Sequence, residues 1–209
     1  LHPVKLPETA VKMTYTWGLG GTSVFMFVIL TITGVFLMFY YVPAVPDAYY
    51  SIQALETDVF MGSFVRNMHR WAAHAMVIVV FLHMVRVFYT GAYKPPRDFN
   101  WVLGVILLTL TFLLSFTGYL LPWDQLAYWA ITVGTNMAGA TPIIGNQLKF
   151  ALVGGYQLGQ STLVRWYTLH VLFLPLLTIV LMSMHFWRVR KDGGISSPIY
   201  YNSADKEEQ

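Results

Sequence analysis

The chain has 209 residues, 56% of them hydrophobic and 11% charged, with a formal charge of +3, against the roughly 25% charged of an ordinary soluble domain. This is the composition of a membrane protein, and without a basic stripe to track phosphates it excludes a nucleic-acid partner. Cysteine is absent, which excludes disulfides, zinc–thiolate sites, iron–sulfur ligation by this chain and thioether attachment of a cofactor.

Residues 1–15 mix Pro3, Lys5, Pro7, Glu8 and Lys12, which suits a short interfacial segment and lacks the pattern of a cleavable signal peptide. An uncharged run from Thr14 to Pro46 follows, longer than the ~20 apolar residues a spanning helix needs, and closes on FYYVPAVP, an aromatic and proline stop. The first span is set at 17–42. The stretch from Asp47 to Phe64 carries Asp47, Glu56 and Asp58 and is expected outside the bilayer. A second span, 62–91, contains RNMHRWAAHAMVIVVFLHMVR, whose uncharged core is short for a crossing unless the flanking arginines have local partners. The turn TGAYKPPRDFN breaks it. A third span, 99–122, closes on TGYLLPWDQ. Residues 124–160 are too many for a plain connector, and LAYWAITV within them suits a short helix lying on the membrane surface. The fourth span is 161–190, and a polar tail, 200–209, ends the chain.

Four spans put both termini on one side. Nine of the 13 basic residues lie in the terminal segments and the link between spans two and three, so the positive-inside rule assigns the termini to the negative, cytoplasmic side.

Ionisable residues inside a membrane-length segment are expensive and mark function by default. His69 and His83 are separated by 14 positions, within roughly 40° of four helical turns and roughly 21 Å along the axis, so both face one way at two depths. His170 and His185 are separated by 15, about 60° past four turns, and share a face with a slight skew. Spans two and four run in the same direction, so His69 is level with His170 near the outer face and His83 with His185 near the inner. Two such pairs are what two bis-imidazole haems require, each iron taking one nitrogen from each helix. With both axial positions filled, such iron suits electron transfer rather than oxygen binding.

The remaining spans carry glycines in the same register, Gly20 and Gly34 in the first, Gly104 and Gly118 in the third. At the outer level Gly34 and Gly118, and at the inner Gly20 and Gly104, remove the β-carbon that would strike a porphyrin; ordinary small-residue packing is the competing explanation for either pair alone. Arg66 and Arg70 flank His69, and Arg86 and Arg97 lie near the inner end, each able to pair with a haem carboxylate. Arg66 and Arg70 run against the positive-inside pattern and need a specific partner. His74, about 140° around the helix from His69, is read as a packing or hydrogen-bonded residue, and His2 as solvated. The expected fold is all-α: an integral membrane four-helix bundle binding two haems over 1–199, with short surface helices between spans three and four.

The strings MHRWAAHAMVIVVFLHMVRVFYTGAYKPPR and TGYLLPWDQLAYWA, the histidine spacings and the four glycines resemble the split, b6-type cytochromes b of quinol–cytochrome c and quinol–plastocyanin reductases. The likeness runs from about Thr14 to Ile199, and the 15-residue separation sets it apart from unsplit mitochondrial-type cytochromes b, which have 14. It implies a lower-potential haem on His69 and His170 at the positive side and a higher-potential haem on His83 and His185 at the negative side. It further implies a quinol-oxidation pocket with Tyr119, Pro122, Trp123 and Tyr128, where one electron passes to a Rieske iron–sulfur protein and the other to the outer haem, then inward to a quinone, coupled to proton translocation. A PEWY-type segment is missing, so the resemblance implies a subunit IV-like membrane partner, besides a c-type cytochrome and a dimeric complex, in a bacterial cell membrane or a thylakoid or intracytoplasmic membrane. At the position of the family cysteine that attaches a third haem stands Gly18; covalent attachment is excluded, leaving a non-covalent haem or a simple quinone pocket at the inner site. The alternatives are the di-haem anchor of a formate dehydrogenase, nitrate reductase or hydrogenase, and a non-redox protein using the histidines for proton relay.

Overall fold

The computed structural model describes residues 12–195. Residues 1–11 of the expected interfacial segment and the tail 200–209 lie outside the described residues. Within them the structure is all-helical: α1 (Met13–Thr16), α2 (Leu19–Met38), α3 (Asp47–Thr57), α4 (Gly62–Tyr89), α5 (Asp98–Leu120), α6 (Gln125–Gly139), α7 (Gly145–Val153), α8 (Gln160–Thr168) and α9 (Leu174–Lys191), with a π-helical turn, Leu169–Phe173, joining the last two.

Four stretches are long and apolar enough to cross a membrane: α2 with 20 residues, α4 with 28, α5 with 23, and the continuous run Gln160–Lys191 with 32. Each reaches the roughly 30 Å of a bilayer core at about 1.5 Å per residue. Their large side chains turn outward, Ile32 66%, Phe25 60% and Trp71 68% exposed, a surface that water would not tolerate and lipid requires. The four helices fit a membrane helical bundle.

Helix ends follow local chemistry. Trp17 and Gly18 take left-handed backbone at φ 53° and 62° and separate α1 from α2. Chain entry to α5 follows Pro95 and Pro96, with Asp98 in its first turn, while α9 carries Arg188, Arg190 and Lys191 in its last; both placements complement the helix dipole. The polar stretch after the first span holds the helix α3. The surface connection holds short helices as expected, α6 over the LAYWAITV stretch with 15 residues and α7 with nine. Asp124 starts α6 as its N-cap, accepting from the Ala127 amide at 2.8 Å.

The described chain divides into two compact units. One holds residues 12–28, 74–112 and 177–195, with Leu19, Phe27, Met76, Val80, Leu103 and Leu110 buried. The other holds Ile29–Ala73 and Leu113–Leu176; its core centres on Leu120, Ile131 and Trp166, packed by Phe116, Trp123 and Leu169. Every membrane-length helix contributes to both.

Asp124→Ala should remove the α6 cap and cost about 1 kcal/mol, lowering the thermal midpoint of the purified protein by about 2–4 °C for a chain of this size, with Asp124→Ser recovering most of it. An unchanged midpoint in Asp124→Ala would show that the cap contributes nothing.

Candidate functional site

His69 and His170 meet within one unit, their ring centroids 6.4 Å apart and their planes inclined at 72°. Each imidazole is engaged at Nδ1 by a threonine of a neighbouring span: Thr33 Oγ1 lies 2.8 Å from His69 Nδ1, and Thr117 Oγ1 3.0 Å from His170 Nδ1. The threonine hydroxyls already donate along their own helices, Thr33 to the Ile29 carbonyl at 2.7 Å and Thr117 to the Leu114 carbonyl at 3.1 Å. A hydroxyl has one proton; with it on the helix carbonyl, the threonine oxygen accepts from Nδ1–H, and the Leu30 and Leu114 carbonyls are further acceptors beside the same two rings. The lone pair therefore sits on Nε2, the tautomer that a metal takes up.

Glycines allow this approach. A β-carbon on Gly34 would stand 3.3 Å from His69 Cε1, and one on Gly118 only 2.6 Å from His170 Cε1. In the other unit a β-carbon on Gly20 would meet His83 Cε1 at 3.5 Å, while on Gly104 it would meet Met84 Sδ at 3.4 Å and His185 Cε1 at 3.9 Å. The first pair of spans and the second thus use glycines beside histidines, two per unit. His185 Nδ1 is buried with no side-chain partner among the described residues, the Asn100 carbonyl being the backbone acceptor beside it.

The donor chemistry fits a bis-imidazole iron macrocycle. A metal bound at about 2 Å by one nitrogen of each ring needs ring centres about 6 Å apart, close to the separation of His69 and His170. Among the described residues no three His, Cys, Asp or Glu side chains converge, so each pair offers two protein nitrogens and no more. A metal wanting four to six ligands takes the others from elsewhere, which a porphyrin supplies.

The arginines divide. Arg66 pairs with Glu56 of α3, an acidic partner in the protein itself, so this charge does not require a haem carboxylate to account for its position. Arg70 is exposed. Arg86 donates from Nε to the Tyr15 carbonyl at 3.2 Å and lies 4.3 Å over the Tyr15 ring, yet its Nη2 is buried with no partner among the described residues; the same holds for Arg97 Nε. Both leave donor capacity for an anionic group. His74 is exposed on α4, in neither histidine pair.

Of the residues expected at a quinol pocket, Trp123 and Tyr128 come together edge to face, with centroids 6.5 Å apart at 87°. Trp123 holds left-handed backbone at φ 52°, a strained conformation for a bulky residue, in the turn where Pro122 stands. Tyr119, 52% exposed, lies on the last turn of α5. The turn is tied by Tyr41, whose hydroxyl donates to the Leu121 carbonyl at 2.6 Å and whose ring stacks on Tyr167 at 5.5 Å. Burial, then the neighbouring Tyr167 phenol, hold the Tyr41 phenol above its ordinary range, keeping it a donor.

Thr33, Thr117 and Tyr41 escaped the sequence reading. A signal for the threonines was present: the first span reads Leu19–Gly20 and Thr33–Gly34, the third Leu103–Gly104 and Thr117–Gly118, the same two dipeptides in the same register. The skew expected of the 15-residue histidine spacing is also resolved. His170 lies in the π-helical turn Leu169–Phe173, which accommodates one residue beyond the α-helical register.

A family model described as Cytochrome b/b6/petB matches residues 5–193. The cytochrome b6 of Heliobacterium modesticaldum is 46% identical over 198 residues, 95% of this chain and 91% of that protein. Those of Heliomicrobium gestii and Heliobacterium mobile are 45% and 43% identical over the same shares. A solved structure described as a hyperthermophilic respiratory Complex III aligns with a TM-score of 0.81 and 32% identity over 88% of this chain; the present chain spans 49% of that one.

Gly118→Ala should displace His170 and destabilise the protein by about 1–3 kcal/mol, read as a lowered thermal midpoint. Gly21→Ala, with nothing within 4 Å of the added carbon, should be neutral or slightly stabilising through helix propensity. Equal effects of the two substitutions would contradict the crowding at Gly118.

Proposed function

Because this chain belongs to the cytochrome b/b6 family, we propose that it is the di-haem transmembrane subunit of a quinol:cytochrome c or quinol:plastocyanin reductase, inactive alone. Quinol-linked electron transfer of the cytochrome bc/b6f type, in a multi-pass membrane subunit of an oxidoreductase complex, is the function of this family. The observation that carries the finer reading is the His69/His170 pair, 6.4 Å apart with each Nδ1 in contact with a threonine.

His69 and His170 hold the outer iron through Nε2, and His83 and His185 the inner one. Bound there, two non-covalent b haems supply one-electron transfer across the membrane. Gly20, Gly34, Gly104 and Gly118 let the helices approach the macrocycles. Arg86 and Arg97, with buried nitrogens that no described residue satisfies, pair with propionates; Arg66 and Arg70 are the corresponding candidates at the outer level, Arg66 sharing its charge with Glu56. Pairing buried guanidinium groups with carboxylates removes the cost of leaving them unsatisfied.

Quinol is oxidised on the positive side against Tyr119, Pro122, Trp123 and Tyr128, completed by a PEWY-type segment from a subunit IV-like partner. A Rieske iron–sulfur protein takes one electron and passes it to a c-type cytochrome. The other electron crosses inward to a quinone on the negative side, and the cycle translocates protons. Both termini lie on the negative side, and the complex is dimeric. Gly18 provides no thiol, its amide donating to Thr16 Oγ1 at 3.3 Å, so no third haem is attached covalently.

A redox titration of the purified complex should resolve two separated b-type transitions, and His83→Ala or His185→Ala should remove the higher one alone. A reduced-minus-oxidised spectrum without a b-type band from this chain would sink the reading. A b-type band with no Rieske protein co-purifying would favour the anchor of another quinone-linked enzyme. Acid–acetone extraction should leave the polypeptide free of haem, and retained haem would refute non-covalent binding.

A further inference from the structure

The two histidine pairs differ in what receives their Nδ1 protons. At His69 and His170 a hydroxyl oxygen is within reach besides the Leu30 and Leu114 carbonyls, from threonines that are themselves buried, Thr33 2% and Thr117 1% exposed. Along the same two helices, 14 residues away in each, the equivalent positions are Leu19 and Leu103, equally buried and unable to accept a proton. His185 Nδ1 meets no side-chain acceptor, the Asn100 carbonyl being the backbone acceptor beside it. The four positions are otherwise matched, each standing immediately before a glycine that lies against a histidine or its neighbour.

An imidazole that donates its Nδ1–H to a good acceptor becomes a more basic ligand at Nε2. A more basic ligand stabilises the higher charge on iron, so it favours ferric over ferrous. In a water-free interior the bond acts with more force than in solvent. Both threonine hydroxyls have a backbone carbonyl within donor reach, at 2.7 Å for Thr33 and 3.1 Å for Thr117; with the proton there, each oxygen acts as an acceptor toward its ring, and the sign of the effect follows from that arrangement.

We propose that Thr33 and Thr117 are positioning residues that lock the ligand tautomer of the His69/His170 pair and, by accepting its Nδ1 protons, set the midpoint potential of the haem it carries below that of the haem on His83/His185. This rests on the reading that each pair holds a haem. The downhill order of the two sites then has a source in this chain, in two threonines where the other site has two leucines.

The test uses the whole complex carrying Thr33→Val, Thr117→Val or both, with Thr33→Ser and Thr117→Ser as conservative controls. Haem content is counted and each transition titrated optically. Valine should raise the lower transition and leave the upper one in place. For the double variant the expected change is about tenfold in the ferric-to-ferrous ratio at fixed potential, about 59 mV for a one-electron couple. Serine, which keeps the acceptor oxygen, should restore the parental value. Two haems bound with an unmoved lower transition in the single and double valine variants would overturn the proposal, as would a shift of the upper transition instead. If the double variant does not assemble, the single ones decide. A serine-variant complex that assembles without a haem on the His69/His170 pair would overturn the di-haem reading beneath it, a failure that the haem count separates from a failure of tuning.

Discussion

A neutral imidazole has two nitrogens, and inside a bilayer neither can turn to water for its partner. That constraint organises this protein. Five histidines lie within membrane-length apolar helices, and around two of them, His69 and His170, neighbouring helices serve the Nδ1 end of the ring. At His69 and His170 the Nδ1 atoms are taken by Thr33 and Thr117, so Nε2 is the nitrogen left for an external partner. The glycines follow from the same demand, since threonines on neighbouring helices reach the rings only if the next backbone position carries no side chain. At Gly118 the margin is smallest, with a β-carbon 2.6 Å from the imidazole.

The connection between the third and fourth spans solves a different problem. It must leave the bilayer, cover a face and re-enter in register with the second span. Asp124 caps α6, Tyr41 ties the preceding turn through the Leu121 carbonyl, and Gln160 reaches back to the Pro43 carbonyl at 2.8 Å. These bonds anchor the strained Trp123 turn beside Tyr128. The fourth span then admits one more residue than an α-helix would, in the π turn that holds His170. Without it the two histidines of that span would be rotated apart by about 60°.

Much of this was legible in the sequence. Spans were set by length and apolarity, and the positions of His69, His83, His170 and His185 and of the four glycines followed from helical periodicity alone, because a membrane helix is straight enough for a 14-residue spacing to carry spatial meaning. The π turn was not legible, since a 15-residue spacing is also compatible with a regular helix and a skewed ring. Glu56 as the partner of Arg66 was hidden by the absence of any pattern marking Asp47–Thr57 as a helix returning to the second span. Thr33 and Thr117 were overlooked because threonine in a membrane helix ordinarily bonds its own backbone, and these two do so as well. Their second bond depends on a ring from another helix, which local sequence does not encode.

The dipeptide repeat has a bearing on how a planar guest could lie. Spans one and two present, in order, Leu–Gly, Thr–Gly and, His74 aside, two histidines, and spans three and four present the same series. Each pair of imidazoles is thus bordered by one such dipeptide from each half of the chain, and the two faces of a flat molecule lodged between the rings would meet similar chemistry. A guest lacking a two-fold axis of its own could then seat in either of two flipped poses with little to choose between them. Selection falls to whatever breaks the match: the π turn on one wall, and the unequal clearances of 3.3 Å at Gly34 and 2.6 Å at Gly118.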